Sequence, residues 1–372
     1  MSLINLLGLS LALLACILIF MFILHELQYD TFYDNADETH RLSVEVILPD
    51  KTTLPMSTIG GPAAPLLESS YPGVKLATRL QRHGAEFSTE NQIFSEENFY
   101  TVDENFFEVF NFNILSGKET EDLLSKPDSI VLTRSLSQRY FGSIDSVGKT
   151  IMLNGNTPLE ITGVIEDIPS NSHLDGNAFS PFQVLSHQIE DYQNYMSSWW
   201  GNGFYTYVVL EESSSIDNLV RNLRSQYADI PDIGLPPGTT FKLHSIPLSE
   251  IHMDSHNLDE LKIGGNIQLL WIFFSIGACI LFIATANFIN LSILWFTRRR
   301  KETGLKRVIG AQKIELASQF MFESLMLCIT CVIFSLLFSY FLAPVFGELL
   351  QIELIPELKS RYSIAIALII FS

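Results

Sequence analysis

Three long apolar runs, at residues 3–24, 269–296 and 321–345, constrain the fold of this chain more than any other feature. Each is long enough to cross a bilayer as a helix, which takes about 20 residues. The second and third runs are separated by a short segment that holds seven of the chain's 23 Lys and Arg residues within sixteen positions. Short basic loops face the cytoplasm, so this segment sets the predicted topology and indicates a partner on the cytoplasmic side. Its basic residues are Arg298, Arg299, Arg300, Lys301, Lys306, Arg307 and Lys313.

The charge distribution separates the chain into two parts. Residues 1–266 carry 14 Lys and Arg against 35 Asp and Glu, a balance of −21, whereas residues 267–372 carry 9 against 6, a balance of +3. The acidic part argues against nucleic-acid binding and is typical of a solvated extracytoplasmic domain. All four cysteines lie in apolar runs, so this domain is not a disulfide scaffold. Cys328 and Cys331 form a C-x-x-C, which we interpret as packing because no second pair or nearby histidine accompanies it.

The first run has two interpretations, a cleaved signal peptide or a retained helix. We favour the retained helix, because the run is long and lacks a basic start and a small-residue cleavage site. At the other end, residues 363–372 form an apolar run too short to span a bilayer. We therefore expect the sequence to be part of a longer chain.

Periodicity in the acidic part predicts a mixed α/β domain. The predicted strands are 41–48, 74–81, 92–102, 129–132, 150–153, 159–165, 204–210 and 240–246, and the predicted helices are 61–70, 104–110, 135–141 and 215–227.

Three local patterns in this domain suggest a site, and in each the plainer interpretation is preferred. Residues 142–150 resemble a phosphate-binding loop but place five residues between the glycines where the motif needs four, so a turn is predicted. His252, Asp254 and His256, with His244 nearby, have the residue types of a metal site, yet a polar loop next to the membrane is preferred. An aromatic group could form a membrane-interface or ligand-stacking patch, but the domain core is preferred: Tyr192, Tyr195, Trp199, Trp200 and Tyr205.

The basic segment itself has two interpretations, which spacing alone leaves open. One is a topology signal that also contacts anionic lipid. The other is a short amphipathic helix that docks on another protein, with Leu305, Val308 and Ile309 on its apolar side and Gly304 and Gly310 framing it.

Short motifs in both parts of the chain carry a family resemblance. In the C-terminal part they are residues 287–292, 300–304, 306, 310–311, 319–320 and 323–324. In the acidic part they are residues 29–32, 103 with 107 and 110, 130–133, 140–142, 147–149, 161–165, 168–173, 207–208 and 251–252. Together they resemble the FtsX-like permease domain and the MacB-like periplasmic core domain of MacB-type ABC transporters, in the form common among Bacteroidetes-type permeases.

The resemblance implies an α+β fold in which transmembrane helices flank a two-lobed mixed α/β extracytoplasmic domain. A porter-like lobe, 27–115 plus 204–262, carries an inserted β-rich lobe, 116–203, and together they form a periplasmic domain at 26–266. The implied remainder is transmembrane helix 1 at 3–25, helix 2 at 267–297, a cytoplasmic coupling helix and loop at 298–318, helix 3 at 319–346, and the start of helix 4 at 363–372.

The implied function is that of a permease subunit that couples ATP hydrolysis by a cytoplasmic ABC ATPase to motions of the periplasmic domain, for export of antibiotics, peptides or lipoproteins. Two alternatives remain open: mechanical signalling that activates an extracytoplasmic cell-wall hydrolase, and a membrane-anchored sensor domain. The implied coupling residues are Arg300, Lys301, Glu302, Gly304, Lys306, Arg307, Gly310 and Ala311.

The resemblance also implies the partners and the compartment. We expect a multi-pass protein of the bacterial inner membrane with its large domain in the periplasm. The expected partners are the ATPase, a second permease half or a second copy, membrane lipids, and periplasmic or outer-membrane components, with no nucleic acid. No catalytic, cofactor or metal site is expected in this chain, and ATP with Mg²⁺ is expected on the partner ATPase. The chain departs from the family in two ways: it lacks a basic segment before the first helix, and many members are about twice as long.

Overall fold

The computed structural model describes residues 3–89, 92–199, 203–211, 214–228 and 236–350. It divides into two compact units, one formed by Met1–Leu27 with Asn266–Ser372 and the other by Gln28–Gly265. The expected start of a fourth transmembrane helix, at residues 363–372, and Trp200 lie outside the described residues.

Ten α-helices are found in the described part of the chain. They are α1 (Leu3–Leu27), α2 (Ala63–Ser70), α3 (Phe106–Val109), α4 (Arg134–Phe141), α5 (Tyr192–Ser197), α6 (Ile216–Ala228), α7 (Ile251–Asp254), α8 (Ile267–Arg298), α9 (Arg300–Val308) and α10 (Lys313–Leu350).

In the described part of the helical unit, formed by residues 1–27 and 266–372, three helices are long and apolar enough to cross a membrane, with candidate spans Leu6–Leu27, Ile267–Trp295 and Lys313–Leu349. Helix α1 contacts both α8 and α10. The Phe22 and Phe273 rings lie 4.9 Å apart, and the Ser335 hydroxyl donates to the Ser10 carbonyl at 2.7 Å. Cys331 is buried, in keeping with a packing role, and its thiol lies 3.7 Å from the Leu6 carbonyl.

Among its described residues, the second unit has a sheet of eleven strands. They are β1 (Thr39–Ile47), β2 (Thr53–Met56), β3 (Val74–Ser88), β4 (Ile93–Val102), β5 (Ile114–Gly117), β6 (Ser129–Thr133), β7 (Thr150–Leu153), β8 (Thr157–Ile165), β9 (Ala178–Pro181), β10 (Tyr205–Leu210) and β11 (Thr240–Pro247). Their order is β11-β1-β10-β3-β4-β9-β6-β8-β5, with β2 on β1 and β7 on both β3 and β8. Most neighbours are antiparallel, but β4 with β9 and β6 with β8 are parallel.

Each strand and helix predicted from the acidic part coincides with an observed element, so the prediction of a mixed α/β domain between apolar helices is confirmed. The largest difference is β3, which runs to Ser88 rather than ending at residue 81. This extension pairs with β4 and β7, so β3 belongs to the part of the sheet built by residues 27–115 and also contacts the part built by residues 116–203.

Apolar side chains of the second unit pack in three buried clusters. One lies around α2, α6 and strands β1, β10 and β11, and a second lies around α4 and strands β6, β7 and β8. The third, the central cluster, is aromatic: Phe106, fully buried, packs its ring against those of Phe107, Phe110 and Phe179. The aromatic turn predicted at residues 104–110 is therefore part of the domain core.

Candidate functional site

Helix α9 occupies the basic segment and has a defined C-terminal cap. The Gly310 amide donates to the Arg307 carbonyl at 3.1 Å, and the Ala311 amide donates to the Lys306 carbonyl at 3.0 Å. These two bonds form a Schellman motif, which ends a helix with a residue at positive φ. Gly310 has a φ of +107°, a conformation that residues with a β-carbon rarely adopt. The backbone of the turn therefore explains glycine at this position.

The next helix begins at once with a cap of its own. The Gln312 amide donates to the Glu315 carboxylate at 3.0 Å. This is one half of a capping box, in which an acid at the third helical position satisfies a free amide at the helix start. Because α9 ends in one cap and α10 begins in another, the short connection between them has a fixed backbone path.

A polar cluster joins α9 to its two neighbouring helices. The Arg299 guanidinium lies 3.9 Å from the Trp295 ring centroid and 3.4 Å from the Glu323 carboxylate. The Lys306 ammonium donates to the side-chain oxygen of Gln319 at 3.1 Å, and the Gln319 amide donates to Glu323 at 3.1 Å. Glu323 lies within the candidate span of α10, where ionisable residues are rare and are normally paired. The cluster therefore fixes the orientation of α9 relative to α8 and α10.

One face of α9 is apolar and exposed. Leu305, Val308 and Ile309 are 63%, 85% and 78% exposed. Residues three and four apart lie on the same side of a helix, so these side chains form one patch. We call Leu305, Val308 and Ile309 the α9 patch. Lys301 and Arg307 are exposed on the same helix, so the patch is set in a strongly basic surface. Exposed apolar patches bordered by polar residues are typical of protein or membrane interaction sites.

The structure places the eight sequence-predicted coupling residues on one short stretch. Six lie on α9, and Gly310 and Ala311 form the turn that follows it: the six are Arg300, Lys301, Glu302, Gly304, Lys306 and Arg307. A β-carbon added at Gly304 would meet no described atom within 4 Å. Lys306 also donates a hydrogen bond to Gln319 within the chain.

Sequence reasoning missed the roles of Arg299, Gln319 and Glu323 in holding α9. The available signal was Glu323, an acid inside an apolar run that lies one helical turn after Gln319. An acid at such a position predicts a basic partner nearby, and the adjacent basic segment supplies it.

The two glycines of the α9 region should respond in opposite ways to alanine. Gly310→Ala is expected to weaken the C-terminal cap by about 1 kcal/mol, because alanine is strained at positive φ. Gly304→Ala is expected to stabilise α9 by about 1 kcal/mol. Alanine favours a helix interior, and its β-carbon would meet no described atom within 4 Å. Hydrogen exchange of the amides at residues 302–311 should become faster in Gly310→Ala and slower in Gly304→Ala. Slower exchange in both variants would contradict the assigned cap.

The histidines near the end of the domain have separate partners. The His244 ring nitrogen lies 3.0 Å from the Glu45 carboxylate, whereas the His252 ring stacks on the Tyr29 ring with centroids 3.5 Å apart. Within the described residues, no group of three or more His, Cys, Asp or Glu side chains is arranged to hold a metal ion. The polar loop preferred from the sequence is not what the structure has at these positions, because His244 lies on β11 and His252 and Asp254 lie on α7, with only His256 in the segment that follows.

The segment that resembles a phosphate-binding loop is a turn between α4 and β7. Gly142 has a φ of +69° at the end of α4, and its amide donates to the Gln138 carbonyl at 2.8 Å. Gly148 has a φ of +80°, and its amide donates to the Ile161 carbonyl at 2.8 Å. Local backbone geometry therefore explains both glycines, in agreement with the turn predicted from the sequence.

The described members of the aromatic group contribute to the domain core. The Tyr195 ring packs 5.9 Å from that of Phe204, and its hydroxyl donates to Gln81 at 2.6 Å. Tyr205 is buried, and this burial raises the pKa of its hydroxyl to about 12. Trp199 packs against the cluster around α2 and α6. These contacts agree with the assignment to the core.

Comparison with known proteins matches each of the two parts of the chain to a protein family. Residues 2–226 match the family described as the MacB-like periplasmic core domain, and residues 274–372 match the FtsX-like permease C-terminal family. A crystallised domain of a protein described as a permease from Porphyromonas gingivalis has the same fold. It superposes with a TM-score of 0.51 at 18% sequence identity, over 64% of this chain and 98% of that one.

The match to curated relatives covers a limited part of each relative's own length. The macrolide export ATP-binding/permease protein MacB of Aggregatibacter actinomycetemcomitans is 23% identical over 64% of this chain and 34% of its own. MacB of Neisseria meningitidis is 21% identical over 71% of this chain and 38% of its own. The chain thus spans about a third of the length of these relatives. With its apolar helices, its mixed α/β domain and its basic helix, the chain belongs to the FtsX-like permeases of ABC transporters that carry a MacB-like periplasmic core domain.

Proposed function

We propose that the chain is the permease subunit that couples ATP hydrolysis by a cytoplasmic partner ATPase to motions of its periplasmic domain. The observation that carries this proposal is the α9 patch, an exposed apolar surface on a short basic helix that is capped and held between two membrane-length helices. The family resemblance implies antibiotics, peptides or lipoproteins as substrates, and the description of relatives as macrolide export proteins supports antibiotics among these.

The geometry of α9 suits transmission of force. Its cap and the Arg299–Glu323 and Lys306–Gln319 contacts attach it to α8 and α10. A partner bound to the α9 patch would therefore move both long helices when it changes shape. A freely rotating loop would absorb such a motion, whereas a helix held at several points passes it on.

We place nucleotide binding on the partner chain. The only near-match to a phosphate-binding loop that the sequence offers is the turn around Gly142 and Gly148, which is one residue too long. In the proposed complex, ATP with Mg²⁺ supplies the energy of phosphoryl transfer on the ATPase, and this chain contributes the docking helix and the moving domain.

The proposed setting is the bacterial inner membrane, with several membrane crossings and the large domain in the periplasm. The basic segment supports a cytoplasmic position for α9, because Lys and Arg are concentrated in cytoplasmic loops. A second permease half or a second copy of this chain would complete the transporter, with periplasmic or outer-membrane components as further candidates.

Introducing a charge into the α9 patch should release the ATPase. Val308→Asp is expected to reduce ATPase recovery with the detergent-solubilised protein at least tenfold, because burying an unpaired carboxylate in an apolar interface costs about 2 kcal/mol or more. The measurement is co-purification from the host membrane, with the ATPase identified by its phosphate-binding-loop peptide and by ATP hydrolysis in the eluate. Arg307 offers a second variant, because its exposed side chain bonds no other side chain within the described residues, whereas Lys306 bonds Gln319.

Ile93→Asp is the matched control, because Ile93 is 74% exposed and lies on β4 in the periplasmic domain. It should leave ATPase recovery unchanged. Equal recovery with Val308→Asp and the wild-type protein would refute docking through the α9 patch. Absence of any ATPase from the wild-type eluate would remove the proposed partner.

A further inference from the structure

A loop in the inserted part of the domain, residues 170–173, holds the chain that leaves α1. We call residues 170–173 the clamp loop. Three hydrogen bonds join it to that chain: the Asp30 amide to the Asn171 carbonyl (2.9 Å), the Asn171 side-chain amide to the Gln28 carbonyl (3.1 Å), and the Tyr29 hydroxyl to the Ser170 carbonyl (3.0 Å). The two segments are about 140 positions apart in the sequence, so only tertiary folding brings them together.

The centre of this junction is the carboxylate of Asp30, which is fully buried. It accepts hydrogen bonds from the Ser172 hydroxyl at 2.7 Å and from the His173 amide at 3.0 Å, and it lies 2.9 Å from the Nδ1 atom of His173. A buried carboxylate is tolerated only with such partners. Asp30 also has a φ of +56°, a left-handed conformation that these contacts hold in place.

The clamp loop is in turn attached to the sheet. The Nε2 atom of His173 lies 2.7 Å from the hydroxyl of Tyr207, which is on β10, an interior strand between β1 and β3. The Tyr33 hydroxyl lies 3.0 Å from the Ser172 hydroxyl. Burial raises the pKa of Tyr33, and the charge of Asp30 raises it further. The Tyr33 side chain therefore remains a neutral hydroxyl that can donate to Ser172. The junction is therefore continuous from Asp30 to the sheet.

The chain that enters α8 reaches the same loop. The Lys262 ammonium donates to the Ser172 carbonyl at 2.7 Å, and α8 begins five residues later at Ile267. Two residues before Lys262, Glu260 forms an ion pair at 2.6 Å with the fully buried Arg41 of β1. The Tyr29 ring, in the chain that leaves α1, also stacks on the His252 ring of α7, the helix that precedes the chain entering α8. Both covalent connections to the apolar helices are thus bound to one loop.

We infer that the clamp loop fastens the chain leaving α1 to the chain entering α8, so that the two connections and the sheet move as one body. The role of this clamp in transmitting ATP-driven motion rests on the proposed function. In that role Asp30 and Lys262 are positioning residues: they decide where displacement of the helices is delivered to the domain.

The test measures the distance between spin labels at Thr31→Cys and Ile263→Cys, in full-length protein whose native cysteines are replaced by alanine. Both label positions are exposed, one beside each connection. Asp30→Asn removes the buried charge, and Lys262→Met removes only the ammonium contact and leaves the Asp30 contacts in place. Lys75→Met is the matched control, because Lys75 is exposed on β3.

Without nucleotide, we expect one narrow distance distribution in the parent protein and in Lys75→Met. In Asp30→Asn and in Lys262→Met the width of the distribution should at least double. An unchanged width in Lys262→Met, with or without broadening in Asp30→Asn, overturns the inference, because the second connection is then not fastened through the loop. Equal broadening in Lys75→Met also overturns it, because the loosening is then not specific to the clamp.

A second readout separates transmission from simple stabilisation. In the complex with its ATPase, adding ATP should leave the Thr31–Ile263 distance of the parent protein unchanged and should shift it in Lys262→Met, while ATP hydrolysis stays within about twofold. A shift in the parent protein would show that the connections do not move as one body. If no ATPase binds, the proposed function fails, and the nucleotide-free distances still decide whether the clamp exists.

Discussion

Glu260→Ala should lower the free energy of unfolding of the periplasmic domain by about 3–5 kcal/mol, the range found when one partner of a buried ion pair is removed. Glu260 accepts two hydrogen bonds from Arg41, at 2.6 and 2.7 Å, and the Arg41 side chain is fully buried. Burial alone would lower the pKa of Arg41, but the hydrogen bond and charge of Glu260 reverse this and raise it. Arg41 therefore stays charged, and loss of Glu260 leaves a buried charge without compensation.

The measurement is urea unfolding of the full-length protein in detergent, followed by pulse proteolysis of the periplasmic domain. Glu166→Ala is the control, because the Arg134–Glu166 pair is similarly short at 3.0 Å but has exposed side chains. Exposed pairs contribute about 0–1 kcal/mol. The double variant Arg41→Met with Glu260→Leu should recover most of the lost stability, since replacement of a buried pair by apolar residues is often neutral. Equal effects of Glu260→Ala and Glu166→Ala would contradict this account.

Phe106→Ala, as a separate single variant, should lower the free energy of unfolding of the same domain by about 3–5 kcal/mol, because it leaves a cavity in the central aromatic cluster. The Phe106 ring is fully buried and lies 5.0 Å from the ring of Phe110 and 5.5 Å from that of Phe179. Phe106→Leu should cost less, because most of the volume is kept. The same urea experiment measures both variants, and the expected order of stability is wild type, leucine, alanine.

The control for the cavity is Ile93→Ala at a 74% exposed position, which should change stability by no more than about 0.5 kcal/mol. An effect of Phe106→Ala as small as that of Ile93→Ala would mean that the cluster collapses around the deleted ring. In that case the aromatic turn would not be essential to the core.

Local pattern was enough to predict most elements of the domain. Strands such as β8 and β10 contain enough apolar and β-branched residues to show their type, and helix α6 shows its apolar face by spacing. Strands β2, β5 and β9 were not predicted, because four residues are too few to establish a period on their own. Strand β7 is equally short, but the Asn-Gly-Asn turn that follows it marked it as one arm of a hairpin. The place of the unpredicted strands in the sheet depends on neighbours supplied by distant parts of the chain, as when β9 pairs with β4.

The candidate site shows the same division. The apolar face of α9 and the glycine at its end could be recognised from spacing, because both are properties of one helical turn. The contact of Lys306 with Gln319, and of Arg299 with Glu323, depends on how α9 and α10 are placed, so these roles were not predicted.

The sequence by itself determined the three apolar helices, the basic segment and the type of most elements, because hydropathy and periodicity act over a few neighbouring residues. The tertiary structure alone decided which groups compensate the buried charges. The Asp30 carboxylate accepts a hydrogen bond from the His173 amide, and Arg41 pairs with Glu260, across more than 140 and 200 positions. A buried charge must find a partner wherever the fold provides one, and sequence proximity carries no information about that choice.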